Sequence, residues 1–426
     1  MLTHSQLHEH LMKRVPDADP IAKQDRKNSI SSKVIRCRYD GQRAVAVGSD
    51  SGAKAQISAL LDLLDLHLHV PANVDADHVT LILGGCPAGS EALDAIGTLV
   101  HNMTSGPKVR VLVADDEDSL APVGTAPCDF STDAEYPGWI GLLMAVESGP
   151  PAVLRSLMGE VVELAGPHGA ATQALRAYQM LSSPGRWSLR LEGLEVGQFK
   201  GASGWLGVGK VGKLGALSAQ RQAWIAATGV DARITVTERA AELSGAAAAL
   251  WKFAQQWLPR LKPDGNVPIK QDEHALESRV LRGFAPVVVP GVGQLERLRE
   301  DPAVNWGSQF PTKWGRQGSP RYLDALLRDG STPWAVEIKI QGGTGVGGYY
   351  RHAVAQAVLY RHFIRQAQPL QPWFDKYGLH QKDCRATVLV PIMDGPLSAW
   401  RTRLTAVANL WEIPVVEIEH KYAGIH

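Results

Sequence analysis

The stretch Trp334–Ile340, WAVEIKI, constrains this chain more than any other. A run this rich in apolar and β-branched residues reads as a buried strand. Strand side chains alternate, so Trp334, Val336, Ile338 and Ile340 share one face, and Ala335, Glu337 and Lys339 share the other. One face is dry, and the other carries two opposite charges that need partners. Upstream, Arg321–Leu327 reads as a second strand, and RDGSTP between them has the Gly and Pro of a turn. The pair predicts a hairpin. A four-residue loop, Asp329–Thr332, sets Asp324 directly opposite Glu337. A two-residue loop, Asp329–Gly330, sets it opposite Ala335 and diagonal to Glu337. Both registers put Asp324 on the Glu337/Lys339 face. Facing carboxylates repel unless something positive lies between them. Mg²⁺ (or Mn²⁺) suits that place, because it takes oxygen ligands and keeps waters for a substrate phosphate. A neighbouring ammonium, Lys339, can then orient a water or stabilise phosphate charge.

Two helical segments flank the hairpin. In DEHALESRVLRGF the apolar stripe is Leu276, Val280, Leu281 and Phe284, and both Glu273 and Glu277 fall inside it. A carboxylate on a buried helix face needs a partner, which a metal site would supply. In GYYRHAVAQAVLYRHF, Gln356 and Tyr360 are neighbours on one helical face, with Tyr349, Ala353 and Phe363 nearby. Arg351, Arg361 and Arg365 add positive charge there, with His352 and His362 close by. The preceding GGTGVGG reads as a close-approach loop.

A helix with Glu, a strand with Asp, a strand with Glu-x-Lys and a helix with Gln-x-x-x-Tyr follow in order. This part, Asp272 to His426, resembles the PD-(D/E)xK nuclease superfamily, and the Gln356/Tyr360 element is similar to its RecB/Cas4-like branch. The resemblance implies a restriction-endonuclease-like α/β domain with a central mixed sheet, hydrolysing DNA with Mg²⁺. It implies that Asp324 and Glu337 bind the metal, with the Ile338 carbonyl as a further ligand. Lys339 would position the attacking water. Glu277 would join a second metal or hold a metal-bound water. Gln356 and Tyr360 would orient the site or a backbone phosphate, and Arg351, Arg361 and Lys313 would meet the nucleic acid. ATVLVPIMD, a helix around Leu404–Trp411 and IPVVEIEH fit the remaining strand, helix and strand. Leu323 precedes Asp324 where the family has Pro. Gly291–Pro320 has no place in the minimal core and reads as a lid or DNA-contacting insertion, in which Trp306 and Trp314 are candidates for base stacking.

With 426 residues, the chain has room for two or three domains. Residues 1–135 alternate strands (Arg43–Asp50, His78–Gly85, Lys108–Asp115) with helices (Ala53–Leu64, Ser90–His101), which predicts a Rossmann-like α/β domain. No GxGxxG follows any of these strands. LDLHLHV reads as a strand with Asp65, His67 and His69 on one solvated or inter-strand face. Residues 136–265 predict a mixed region, helical over Pro151–Met180 and Ala240–Leu261 with Gly-rich strands between. Gly204–Val211 matches GxxxxGK, but Val211 stands where a phosphate loop has Ser or Thr, so it reads as a Gly-rich hairpin. Leu261–His274 has the Pro, Gly and charge of a boundary, and 266–426 is the nuclease domain.

Net charge is +1, so nucleic-acid binding must come from local patches. The four cysteines are scattered and predict neither disulfides nor a zinc site. No secretory h-region or membrane span is visible, which predicts a cytoplasmic protein. The expected partners are DNA, a second copy in a homodimer, and a small nucleotide activator or protein partner at the N-terminal region. The role implied is a defence or repair effector. Two other readings stay open: an inactive nucleic-acid-binding or assembly subunit, and a nuclease, acting on DNA or RNA, switched on by a nucleotide bound to a CARF-like sensor.

Overall fold

The computed structural model describes residues 1–14, 19–20, 34–69, 75–114, 119–145, 149–166, 174–180, 183, 185–208, 217–258, 272–298, 310–340 and 350–419. The chain is α/β. Its first layer comprises α1 (His4–Arg14), β1 (Asp19–Pro20), β2 (Val34–Tyr39), β3 (Gln42–Val47), α2 (Ala53–His69), β4 (Asp75–Leu83), α3 (Glu91–His101), β5 (Lys108–Ala114) and β6 (Leu120–Pro122). The strands lie in sequence order. β3, β4 and β5 are parallel, joined by α2 and α3, and the outer strands pair antiparallel. Val45–Val47 and Leu81–Leu83 are buried, as strands covered on both faces must be. The strand order never reverses, so this layer has no switch point like those at which doubly wound sheets bind nucleotides.

LDLHLHV is not a strand. Val70 lies outside the described residues, and Leu64–His69 forms the last turns of α2, with Asp65 and His69 one turn apart. Its polar/apolar alternation mimics period two, but Leu60, Leu61, Leu63 and Leu64 extend one buried helical face into it.

The middle region contains α4 (Tyr136–Ala145), α5 (Ala152–Ala165), β7 (Leu175–Gln179), β8 (Arg186–Leu191), β9 (Leu194–Lys200), β10 (Ser203–Leu206), α6 (Ala219–Thr228), β11 (Ile234–Thr237) and α7 (Ala240–Trp257). The helix expected over Pro151–Met180 stops at Ala165, and Leu175–Gln179 is a strand instead. The strands form an antiparallel sheet ordered β11-β10-β9-β8-β7. Its inner face packs on α5, α6 and α7 around Trp187, Phe199, Trp224, Phe253 and Trp257. Gly204–Leu206 lies in β10, whereas residues 209–211 of the GxxxxGK match lie outside the described residues. Tyr136, Trp139 and Leu143 of α4 pack with the first layer's core.

The last region begins with α8 (Asp272–Leu281) and the short strands β12 (Val288–Val289), β13 (Gly293–Gln294), β14 (Glu296–Arg297), β15 (Phe310–Thr312) and β16 (Arg321–Leu323). It continues through β17 (Ala325–Asp329), β18 (Thr332–Ile338), α9 (Arg351–Gln366), α10 (Gln371–Lys376), β19 (Arg385–Pro391), α11 (Ser398–Asn409) and β20 (Val415–Ile418). A mixed sheet is ordered β14-β17-β18-β19-β20, with β18, β19 and β20 parallel. Part of Gly291–Pro320 therefore belongs to the central sheet, because β14 is its edge strand. Leu276, Val280 and Leu281 of α8 cover one face, against Trp334, Val336 and Ile338. α9 covers the other, and its Val354, Val358 and Phe363 share a core with Leu60 and Leu64 of α2 and Ile96 of α3. The first and last regions are thus welded through one apolar core. Among the described residues, no helix is long and apolar enough to cross a membrane.

Candidate active site

The hairpin pairs Ala325 with Val336 and Asp329 with Thr332, leaving Gly330–Ser331 as the turn. Continued by one residue, this register sets Asp324 opposite Glu337, as a four-residue Asp329–Thr332 connection would. Arg321–Leu327 is not one strand, however. β16 pairs with β15 and β17 with β18, and Asp324 occupies the bend between them. Outside the ladder, its carboxylate turns inward and accepts a hydrogen bond from the Ile338 N–H at 2.8 Å.

Glu337 is fully buried, and neither of its carboxylate oxygens accepts a well-directed hydrogen bond. The Lys339 ammonium lies 2.7 Å from it as an ion pair. That same ammonium donates to the Ile338 carbonyl at 2.7 Å and to Glu273 at 3.0 Å, and lies 3.8 Å from Asp324. One cation therefore sits among the two hairpin carboxylates, a backbone carbonyl and a helix carboxylate. Burial raises the Asp324 carboxyl well above its ordinary range; Glu337 adds to this and Lys339 opposes it. Burial also raises Glu337, against the pull of Lys339. Burial alone would lower Lys339, but Glu337, Asp324 and Glu273 together hold it well above the usual lysine value.

α8 supplies two carboxylates one turn apart. Glu277 is buried, lies 3.2 Å from His274 Nδ1, and its hydrogen bond raises that histidine. Its charge also reaches Asp324. The helix carboxylate that touches the cluster is Glu273. Sequence placed it on the right stripe, and its i, i+4 spacing from Glu277 was the signal that both could face the hairpin.

On α9, Gln356 hydrogen-bonds the buried Tyr360 hydroxyl, which also lies 3.5 Å from the Tyr322 carbonyl. Burial raises the Tyr360 phenol, and the charges of Glu337 and Asp324 raise it further, so it stays protonated as a donor beside the cluster.

The expected nucleic-acid contacts are placed differently. Arg351 is buried and ion-paired with Asp62 and Asp65, so its guanidinium joins α9 to α2 instead of meeting a DNA strand. Lys313 is buried against Asp133 at 2.6 Å. Arg361 is half-buried and donates to the Trp411 carbonyl at 3.2 Å; burial, reinforced by Arg365, presses its pKa down to about 10. Trp314 is buried against Tyr360 and unavailable for stacking on a base. Phe284 lies past the end of α8 and is exposed, not part of the stripe. Trp306, Tyr349 and GGTGVGG lie outside the described residues.

A hard divalent cation fits this donor set. Glu337 offers two buried oxygens, one of them 2.7 Å from the Lys339 ammonium, Asp324 lies beside it, and the Ile338 carbonyl accepts from the same ammonium. Among the described residues, no three His, Cys, Asp or Glu side chains cluster as a ready metal cage. Mg²⁺ commonly uses one or two carboxylates and completes its shell with water and phosphate. No family model, curated protein or solved structure matches the chain.

Proposed function

We propose that the chain is a divalent-cation-dependent nuclease that hydrolyses DNA phosphodiester bonds. The observation that supports this best is the convergence of Asp324 from the bend before β17, Glu337 of β18 and Lys339 just past it on one point beside a backbone carbonyl. Asp324, Glu337 and the Ile338 carbonyl would hold Mg²⁺ or Mn²⁺. That ion would supply charge for a phosphate oxygen and acidify a water. Lys339 orients the attacking water and stabilises charge on the phosphate. Glu273 holds the Lys339 ammonium and sets its direction. Tyr360, held by Gln356 and donating to the Tyr322 carbonyl, keeps a protonated phenol beside the carboxylates. Glu277 adds negative charge at the helix side and favours cation binding.

The test is cleavage of single- and double-stranded DNA with Mg²⁺, Mn²⁺ or EDTA, beside Asp324→Ala and Lys339→Ala. The proposal expects metal-dependent cleavage that both substitutions abolish. Cleavage that survives both, or that persists in EDTA, overturns it.

A further inference from the structure

The outward face of the middle sheet is built unlike a merely solvated one. Register places Arg176 opposite Arg190 and Arg186 opposite Lys200 on the face away from Trp187, Leu189 and Phe199; Arg176 and Tyr178 are buried there, and Glu195 stands opposite Arg190. Like charges directly opposed across a sheet are unfavourable. The acidic Glu195 on this face is engaged by Ser188 at 2.8 Å and Gln198 at 3.0 Å, not by these arginines. At the open end Arg186 and Lys200 are exposed; two residues further along the ladder the half-buried Trp205, opposite Gln198, lies under the Arg233 guanidinium at 3.7 Å.

The other end of this face abuts the candidate active site. In the β8–β9 turn, Glu192 pairs with Arg279 of α8 at 2.6 Å. Gly193, at φ +80°, lies so close to the His274 carbonyl that a Cβ would sit 2.3 Å from its oxygen. Arg190 stands 5.5 Å over the Tyr178 ring. Tyr178 is pushed up to about 12 by burial and, next, by the charge of Glu277. A positive face with an aromatic midway along it therefore leads to the helix that carries Glu273 and Glu277.

We propose that this face of β8–β10 binds a single nucleic-acid strand and leads its backbone to the Asp324/Glu337 site. Phosphates match Arg186, Arg190 and Lys200, and an unpaired base stacks on the Trp205/Arg233 platform. Bases locked in a duplex cannot reach that platform. The inference rests on the nuclease reading of the site, but its test does not require cleavage.

The full-length chain is titrated into a labelled, unstructured DNA strand, its RNA counterpart and the DNA duplex, by fluorescence anisotropy in EDTA. Tighter binding of either single strand than of the duplex is expected. Arg186→Glu with Lys200→Glu should weaken it at least about tenfold and flatten the salt dependence by about one for each cation removed. Arg186→Gln with Lys200→Gln is the milder pair, should the reversal disturb folding as read by thermal melting. Trp205→Ala should weaken binding about five- to hundredfold without changing the salt slope. Wild-type failure to bind, preference for the duplex, or binding by the folded double variants within about twofold of wild type overturns the proposal. Binding with no cleavage in Mg²⁺ leaves the platform standing and counts against the nuclease reading alone.

Discussion

Lys339 occupies the point where the donor set converges. Its ammonium touches Glu337, Glu273 and the Ile338 carbonyl at once. A bound divalent cation must therefore displace it or share the cradle with it. Lys339→Met removes the competing charge while keeping the apolar stem. Its Mn²⁺ affinity should rise about tenfold by calorimetry even as cleavage is lost, because one unit of electrostatic competition is worth about this much. Unchanged or weaker Mn²⁺ binding would argue that the ammonium and the metal occupy different places. At this scale the sequence was informative. Alternation alone put Glu337 and Lys339 on one face, and either loop length brought Asp324 to them. Glu273 could be placed on a face but given no role, because its contact depends on how α8 crosses the hairpin.

At the scale of elements, period and turn chemistry carried most of the information. The β17–β18 hairpin, the helix over Gln356 and Tyr360, and the alternating first layer follow from residues close in sequence, whereas the mixed sheet was implied by the resemblance alone. Two errors share a cause. The bend at Asp324 has no Gly or Pro to announce it; it exists because β16 pairs with β15 and β17 with β18. Likewise, LDLHLHV alternates like a strand, yet the helix begun at Ala53 continues through it. Packing between elements leaves one sharp prediction. A Cβ on Gly97 of α3 would lie 2.2 Å from the Ala126 carbonyl oxygen. Gly97→Ala should destabilise the chain by about 1–3 kcal/mol despite its better helix propensity, read as a lower thermal midpoint. Stabilisation would show that this contact yields freely.

At the scale of the molecule, the first and last regions share a core, and Arg351 and Lys313, both expected at a DNA surface, serve that junction instead. Arg351 joins Asp62 and Asp65, Arg403 also pairs with Asp65, and His362 meets the Cys128 carbonyl at 2.8 Å. Local sequence gives no hint of this, since the partners lie hundreds of residues apart. Burial lowers His362 despite that carbonyl, and burial with Arg351 and Lys54 lowers His352 well below its ordinary value. Both are neutral when folded. The unfolded histidines take up protons near pH ~6.5, while the folded ones resist. The contribution of these two histidines should hence be level above about pH 7.5 and fall on acidification, by up to about 1.4 kcal/mol per pH unit for each, opposed by the raised His274, Asp324 and Glu337. Denaturant unfolding across pH reads this, and His362→Gln should make the slope shallower. An unchanged slope would mean that His362 titrates alike in both states.

In the function we propose, the buried Glu337 carboxylate takes part in phosphodiester hydrolysis. Glu337→Gln keeps the shape of the side chain and removes its charge, so the rate of DNA cleavage in Mg²⁺ tests the claim most directly. The rate should fall at least about a thousandfold while the fold is retained, as expected when electrostatic stabilisation at the reacting centre is lost. A folded Glu337→Gln protein that cleaves within about twofold of the wild-type rate would contradict the account.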